Sequence, residues 1–335
     1  MAKRPPLLKT PMRISAPYNH DPDFVAGVLA PCAELIGEVY LPVHEVYCHT
    51  GRPWNGPTDI DAYEEQVAEL AKVCARRKIP LNFVANQIDS PYRATLLGRE
   101  ILRLHRTYPG SRFTLADFEL AVALHGREPA MDIQPSTVAH VADPVAAWYW
   151  KSEVGSRGIT LHRAANKRLA AIRGIRKLGL GVRVVVNDKC LPDCPTERNH
   201  GTQIRLYDEV RHAWPEPGAF SGYVGCRRTS LRMKNEQMWL VAMKDILPGH
   251  LPHLVGLVDL VKLSGRGTPT HSIVGSIRRY AEMKDLTNDG PFYREPPEAW
   301  KRITSCDRVC EACGWCEAHL VRLPTPEGFG RDGCG

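Results

Sequence analysis

The sequence contains no long hydrophobic run. None of its apolar stretches approaches the ~20 residues that a membrane-crossing helix needs. Its basic start, MAKRPPLLKTPMR, is not followed by the apolar segment of a secretory signal. It also has no internal repeat and no low-complexity segment. We therefore expect a cytoplasmic protein that does not contact a membrane, and repeat architectures are excluded.

Several catalytic and binding signatures are also missing. No GxGxxG follows the first predicted strand, and the sequence contains neither an HExxH pair nor a recognisable Ser-His-Asp arrangement. It has no RNA-binding module and no interleaved aromatic and basic stretch. These absences argue against a dinucleotide-binding sheet, a zinc protease and a serine hydrolase.

The composition is that of an ordinary folded protein. The chain has 335 residues, which is one large domain or two ordinary ones, and 43% of them are hydrophobic. Its net charge of +7 comes from 44 basic and 37 acidic residues, and much of the excess is scattered as pairs of arginines. This charge weakly favours anionic partners, which we expect to be a small molecule or RNA.

Apolar strands alternate with helical patterns through most of the chain. We predict strands at 13–17, 38–44, 81–86, 112–117, 130–135, 158–162, 182–187 and 257–264. We predict helices at 61–78, 91–108, 143–154, 166–179 and 272–284. Eight strands with intervening helices are typical of a (β/α)₈ TIM-barrel-like domain, with a doubly wound open sheet as the alternative. We assign residues 1–285 to the barrel and residues 286–335 to a Cys-rich, metal-binding extension.

Four cysteines are predicted to lie at one end of this barrel. Cys190 and Cys194 follow the strand VRVVVN at its carboxyl end, where barrel enzymes place their active sites. Cys48 follows the second strand on the same face, and Cys226 lies in the long segment after the seventh. Because the cytosol keeps thiols reduced, clustered cysteines favour a metal site over disulfides.

A second group of cysteines lies in the C-terminal extension. Its sequence CDRVCEACGWC places Cys306, Cys310, Cys313 and Cys316 within eleven residues. So compact a run favours an iron–sulfur cluster, with zinc as the alternative. The first three also have the CxxxCxxC spacing of radical S-adenosylmethionine enzymes. Those enzymes place this motif after the first barrel strand, whereas here it follows the last. The remaining cysteines, Cys32, Cys74 and Cys334, need no metal, and eight thiols remain for two clusters.

Several stretches, in order, resemble the collagenase-like peptidase family U32, especially its iron–sulfur members. They include EVYLPVHEVYC, LNFVANQ, GITLHRAANKRLAAIRGIRKLGLGVRVVVNDKC and MWLVAMKDILPGHLPHLVGLVDLVKLSGRGTPTHSIVGSIRRY. The resemblance covers roughly residues 12–285. One departure is that LHRAANK stands where the family has Ser-Arg-Glu, so the acid expected at that point is absent.

The resemblance implies a barrel-like α/β fold and a [4Fe-4S] cluster held by four cysteines. Family members include peptidases, RNA-modification proteins that hydroxylate RNA, and paired proteins of oxygen-independent ubiquinone hydroxylation. Cys190, Cys194 and Cys226 match family thiols, and Cys48 lies where one ubiquinone-pathway protein supplies a ligand. The family's lysine–glycine–arginine motif appears as Lys262, Gly265 and Arg266.

Two cations follow the eighth strand on the face assigned to the metal. Lys262 and Arg266 could hold a carboxylate or a phosphate, and an alternative role for Arg266 is a structural salt bridge. Further polar contacts could come from the side chains Asn82, Asn86, His44, His49 and His200.

Three functions remain open from the sequence. The first is an iron–sulfur enzyme of oxygen-independent hydroxylation or a related modification of a small molecule or RNA. The second is a peptidase, which the family name implies. The third is a non-catalytic iron–sulfur or zinc subunit that binds a partner protein or a redox donor.

Overall fold

The structure is a computed structural model that describes residues 12–48, 54–86, 91–187, 246 and 248–281. It also describes the backbone of two short strands at 293–294 and 321–322. The Cys-rich extension otherwise lies outside the described residues, as does the predicted boundary at residue 285. Among the described helices, none combines the length and the apolar character that a bilayer span requires.

Eight parallel strands form a nearly closed barrel. Their order around the barrel is β5-β4-β3-β2-β1-β8-β7-β6, so the first strand pairs with both the second and the last. Single hydrogen bonds join the two edges of the sheet beyond β5 and β6, including that from the His162 amide to the Val141 carbonyl, 2.8 Å long. The strands are β1 Ile14–Pro17, β2 Ile36–Pro42, β3 Leu81–Ala85, β4 Arg112–Leu115, β5 Asp132–Pro135, β6 Gly158–Thr160, β7 Gly181–Val185 and β8 Leu260–Lys262.

Helices follow the strands and cover the outside of the barrel. The predicted barrel is confirmed, and every predicted strand and helix has a counterpart. The α-helices are α1 Ala30–Cys32, α2 Ile60–Arg76, α3 Pro91–Thr107, α4 Phe118–Arg127, α5 Pro144–Val154, α6 Leu169–Lys177 and α7 Thr270–Ala281. Short π- and 3₁₀-helical turns flank α1 at Val25–Leu29 and Ala33–Leu35.

Two helices were not predicted, the short α1 and the longer α4. α4 fills the short connection between β4 and β5, and the Asp117 side chain accepts a hydrogen bond from the Leu120 amide at its start. An aspartate that caps the first turn in this way is a recognised sign of a helix start. The signal was therefore present in the sequence, directly after the predicted strand.

The two faces of the strands bury different kinds of side chain. Outward-facing residues such as Ile14, Phe83, Phe113 and Val261 are fully buried between the barrel and its helices. Inward-facing residues of several strands are polar. The apolar layer stabilises the fold, since truncation of a buried phenylalanine costs about 3–5 kcal/mol. The polar layer inside the barrel is where the site begins.

A two-stranded antiparallel ladder is described apart from the barrel. Tyr293–Arg294 forms β9 and Val321–Arg322 forms β10, with Val321 opposite Arg294. These strands flank the sequence that contains the four clustered cysteines. The ladder therefore brings together the two ends of the segment for which a metal centre was predicted.

Candidate active site at the carboxyl mouth of the barrel

A buried carboxylate lies at the centre of the barrel interior. Glu38 of β2 is fully buried, and its Oε1 accepts hydrogen bonds from Ser15 Oγ at 2.7 Å and Asn82 Nδ2 at 2.9 Å. Its Oε2 lies 3.0 Å from Arg112 Nη1 and 3.5 Å from Arg183 Nη2. Strands β1, β2, β3, β4 and β7 therefore meet through this one side chain.

The partners of Glu38 keep it ionised. Burial by itself raises the pKa of this carboxyl, but Arg183, Arg112 and the Ser15 hydroxyl together lower the pKa to about 2. A carboxylate with so low a pKa, which accepts three hydrogen bonds and faces two arginines, is a poor acceptor for a substrate proton near neutral pH. We assign Glu38 a structural role, as the anchor of the charges around it.

A chain of polar side chains continues this network across the barrel. Asn82 Oδ1 accepts a hydrogen bond from the Thr114 hydroxyl, and Gln134 Nε2 donates to Thr114 Oγ1. Arg112 also contacts Asp132 at 3.2 Å, at the start of β5. Arg112 and Asp132 begin their strands, whereas Thr114 and Gln134 are third of four, so the network extends from the amino-terminal end into the middle of the barrel interior.

Lys262 lies one layer nearer the carboxyl ends of the strands. It is the last residue of β8, is 8% exposed, and holds its ammonium 4.1 Å from the centroid of the Tyr40 ring. The Tyr40 hydroxyl donates to the Leu263 carbonyl at 2.6 Å, which fixes the ring beneath the lysine. Lys262 has no carboxylate within salt-bridge distance among the residues that the structure describes.

The surroundings of Lys262 make its charge easy to lose. Burial lowers its pKa to about 7, Glu38 opposes this, and the cations Arg183 and Arg266 lower it further. At neutral pH this amine therefore exists in both protonation states. A lysine of this kind can exchange a proton near neutral pH or bind an anion. An ordinary surface lysine is less selective in both roles.

A sharp turn brings Arg266 over the mouth. Gly265 has φ of 130°, and a Cβ there would lie 2.9 Å from Thr268 Oγ1. The Thr268 amide donates to the Gly265 carbonyl, which closes the turn. Arg266 is close enough to affect the titration of His20, Cys48 and Lys262. The predicted lysine–glycine–arginine motif thus consists of a buried cation, a turn and a second cation.

Neighbouring loops hold this turn in place. The Asn55 side chain donates to the carbonyls of Asn19 and Arg266. The Asn19 side chain donates in turn to the Thr268 carbonyl and to the Thr270 hydroxyl. Loops after β1, β2 and β8 are therefore joined by amide side chains, and the backbone of Arg266 is fixed on the carboxyl side of the barrel.

The segment that carries the predicted metal ligands leaves the barrel at this same mouth. Asn187 accepts from the Ser264 amide at 2.6 Å and donates to the Ser264 carbonyl at 2.8 Å, so the ends of β7 and β8 are paired. Ile246 donates to the Val186 carbonyl at 2.8 Å. The chain thus departs and returns at the carboxyl end of β7. Cys190, Cys194 and Cys226 lie between, outside the described residues.

Cys48 is the predicted ligand that the structure describes. It is fully buried after β2, and burial raises the pKa of its thiol to about 12. A backbone hydrogen bond from Asn86 and the charges of Arg266 and Arg93 oppose this effect. Within the described ranges no three His, Cys, Asp or Glu side chains form a metal-binding group. The four-cysteine centre at the mouth therefore stays a prediction.

Histidines at the mouth have different surroundings. His44 Nε2 contacts the Pro57 carbonyl, and its Nδ1 accepts a hydrogen bond from the Val46 amide. Both ring nitrogens are therefore hydrogen-bonded to the backbone of the loop after β2. His20, which the sequence analysis did not select, follows β1 with φ of 59°. It is buried among aromatic rings, and burial lowers its pKa to about 4. Its position after a barrel strand was the signal that could have identified it.

The other polar residues predicted from the sequence lie in different parts of the molecule. Asn82 belongs to the Glu38 network, and Asn86 lies at the end of β3, beside Cys48. His49, His200 and the four tail cysteines fall outside the described residues. The structure therefore brings together Lys262, Arg266 and Cys48 at one mouth.

Comparison with known proteins agrees with this architecture. No family model matches the chain. An uncharacterized protease of Methanocaldococcus jannaschii is 26% identical over 206 residues, which cover 56% of this chain and 59% of that protein. The chain thus spans less than two thirds of the length of this curated relative.

Solved structures give the fold. A U32 peptidase superposes with a TM-score of 0.51 at 16% identity, covering 78% of this chain and 97% of that chain. At this identity the match establishes a shared barrel architecture. A glycerophosphodiester phosphodiesterase from Parabacteroides distasonis aligns with a TM-score of only 0.39, at 12% identity.

Proposed function

We propose that the protein is an enzyme of the U32 peptidase-like family that binds an anionic substrate at the carboxyl mouth of its barrel. The observation that carries this proposal is the pair of cations there, Lys262 buried on Tyr40 and Arg266 held above it. The names of the structural neighbour and of the curated relative, a U32 peptidase and a protease, support the family.

The two cations suit different tasks. The Arg266 guanidinium is permanently charged and can bind a carboxylate or phosphate through two parallel hydrogen bonds. Lys262 is deeper, and its pKa of about 7 lets it give or accept a proton near neutral pH. The Tyr40 ring limits water around the amine. Together they can bind an anionic group at the rim and transfer a proton further in.

We further propose that Cys48, Cys190, Cys194 and Cys226 hold a [4Fe-4S] cluster beside this anion site. Support comes from the burial of Cys48 near Arg266 and from the departure and return of the 188–245 segment at the same mouth. Burial raises the pKa of the Cys48 thiol to about 12 despite the nearby arginines, so this residue would become a thiolate on binding the metal, which deprotonates a coordinating thiol. With these four cysteine ligands the cluster would supply electrons, whereas with Cys48 unbound its open iron would supply Lewis-acid activation.

On this proposal the reaction is an oxygen-independent hydroxylation or a related modification of a small molecule or RNA. The second centre, formed by Cys306, Cys310, Cys313 and Cys316, would be another iron–sulfur cluster or a zinc site. Because hydroxylation oxidises the substrate carbon by two electrons, it would need either an oxygen-donating co-substrate that is reduced in the same step, or water as the oxygen source and a redox partner protein that accepts the two electrons through the cluster.

The test is metal analysis of protein purified and reconstituted without oxygen. We expect brown protein with about four irons and four sulfides per cluster. Replacement of both Cys190 and Cys194 with alanine should remove one cluster and leave the fold intact by circular dichroism. Colourless protein with a full complement of zinc would instead support a non-catalytic subunit. Iron content that is unchanged in the double variant would exclude the proposed ligand set.

Truncation at residue 300 separates the two centres. Loss of about four irons would assign a cluster to the tail, whereas loss of one zinc with constant iron would assign a zinc site. If neither metal changes, the four tail thiols bind no metal.

Peptide hydrolysis is the second candidate, and it is favoured by the names of the two similar proteins. A quenched fluorescent peptide library distinguishes it from the first. Cleavage that persists in the Cys190→Ala, Cys194→Ala variant and is lost in Lys262→Met would support a peptidase that uses Lys262 as its base. Absence of cleavage by the wild-type protein would reject this candidate.

A further inference from the structure

The amine of Lys262 differs from the other interior cations in what surrounds it. Arg112 and Arg183 both contact the Glu38 carboxylate, at 3.0 and 3.5 Å. Lys262 instead holds its ammonium over the Tyr40 ring, 4.1 Å from the centroid, and forms no ion pair with a described residue. The residue is about nine-tenths buried, and the described residues offer its ammonium no oxygen acceptor, so the charged amine is poorly solvated.

The charged groups around Lys262 lie on β2, on β7 and in the turn after β8. Glu38 on β2 is the only nearby carboxylate among the described residues that affects its titration, while Arg183 on β7 and Arg266 after β8 repel a proton. Ser15 on β1, which pairs with Lys262 in the sheet, is neutral. Glu38 is already shared by two arginines. Among the described residues, Glu38 and Asp132 face the three cations Arg112, Arg183 and protonated Lys262, so positive charge exceeds negative there.

An anion at the mouth would reverse this balance. It would supply the missing acceptor for the Lys262 ammonium and would offset the repulsion from Arg183 and Arg266. Opposite charge within a few ångströms raises the pKa of a lysine. The free protein, with a pKa of about 7, would then bind a proton that it lacks in alkaline solution.

We propose that binding of an anion at the mouth is coupled to the uptake of one proton, and that Lys262 is the group that receives it. This inference rests on the proposed anion site. At a pH above the pKa of the free protein, Lys262 is then neutral before the anion arrives and charged afterwards. The ligand class is an oxyanion, a carboxylate or a phosphate ester, and tight binding of it requires the proton.

The sign of the effect follows from linkage. Below about pH 7 Lys262 is already protonated in the free protein, so anion binding takes up little or no proton. Above that pH each bound anion takes up nearly one proton, and its affinity falls about tenfold for each pH unit. The fall continues until the pH reaches the raised pKa of the complex.

Isothermal titration calorimetry tests this with inorganic sulfate, whose charge does not change across the neutral range. Titrations in buffers of different ionisation enthalpy give the number of protons taken up. We expect a value near zero at about pH 6 and near one at about pH 8.5. Acetate as a second probe distinguishes a general oxyanion site from one that needs a divalent ion.

Two substitutions identify the receiving group. In Lys262→Arg the charge is permanent, so sulfate should still bind while the proton uptake disappears. In Lys262→Met both the uptake and most of the affinity should be lost. Direct titration of the Lys262 side chain by ¹³C NMR in the wild-type protein needs no variant. The Cε resonance of Lys262 should move from the position of a neutral amine to that of a charged one when sulfate is added at about pH 8.5.

The outcomes separate the two levels of the proposal. Sulfate binding without proton uptake at about pH 8.5 would overturn the coupling and leave the anion site. Uptake that persists in Lys262→Arg would assign the proton to another group and overturn the role of Lys262. Failure of sulfate and acetate to bind at any pH would overturn the anion site together with the coupling.

Discussion

Arg112 of β4 reaches the buried carboxylate of Glu38 on β2, with Nη1 3.0 Å from Oε2, even though β3 lies between the two strands. The same carboxylate also accepts hydrogen bonds from Ser15 and Asn82 and pairs with Arg183. One side chain therefore joins five strands of the barrel. Removing it would leave two arginines without their shared counter-ion inside the protein.

We therefore expect Glu38→Ala to destabilise the fold by about 3–5 kcal/mol, the cost of leaving buried charge uncompensated. Urea denaturation measures this directly. Glu69→Ala is a matched control, because its ion pair with Lys72 is exposed and exposed pairs contribute about 0–1 kcal/mol. Equal stabilities of the two variants would mean that the arginines find other partners.

Acid should weaken the barrel through the same residue. The folded-state pKa of Glu38 is about 2, below its ordinary value, so its contribution is present above about pH 4.3 and is lost as the pH falls towards 2. We expect this contribution to reach roughly 3 kcal/mol. Stability curves of wild type and Glu38→Gln should converge on acidification. Parallel curves would contradict the assignment.

Gly265 is expected to control the anion site. Its positive φ and the nearby Thr268 hydroxyl leave no room for a Cβ, so Gly265→Ala should strain the turn by about 1–3 kcal/mol and displace Arg266. Gly267→Ala lies in the same loop with open space around it and provides the control. Sulfate affinity should fall only in the first variant. An equal fall in both would point to general loop disturbance.

Cys48 can be compared with another buried thiol. Cys48 and Cys74 are both buried, and burial raises both thiol pKa values to about 12. If Cys48 is a cluster ligand, Cys48→Ala should lower the iron content after anaerobic reconstitution, whereas Cys74→Ala should not. Both should lose similar stability, since each leaves a small cavity. Full iron content in Cys48→Ala would remove this residue from the ligand set.

The fold was predictable from the sequence because its signals are local. β-branched runs such as VRVVV and helix caps such as Asp59 need only near neighbours to act. Lys262 and Arg266 were found for a similar reason, since they lie at the carboxyl end of a strand, which defines the catalytic side of a barrel.

The interior network could not be found in this way. Glu38 stands in the strand IGEVYLP, and only closure of the sheet brings Arg112 and Arg183 to it. Their sequence separations give no periodic pattern. His20 is similar, because its burial depends on aromatic residues from elsewhere in the chain, including Trp54 in the loop after β2 and Tyr63 in α2.

The central claim is that the carboxyl mouth, and not another basic surface, binds the anionic substrate. The most direct test is the affinity for sulfate at about pH 6 in Arg266→Gln and in Arg176→Gln. Arg176 pairs with Asp259 at the opposite end of the barrel, so it tests a matched change of charge. We predict a loss of about tenfold or more for Arg266→Gln, as expected when a charged hydrogen bond is removed, and less than about twofold for Arg176→Gln. Equal affinities in the two variants would contradict the account.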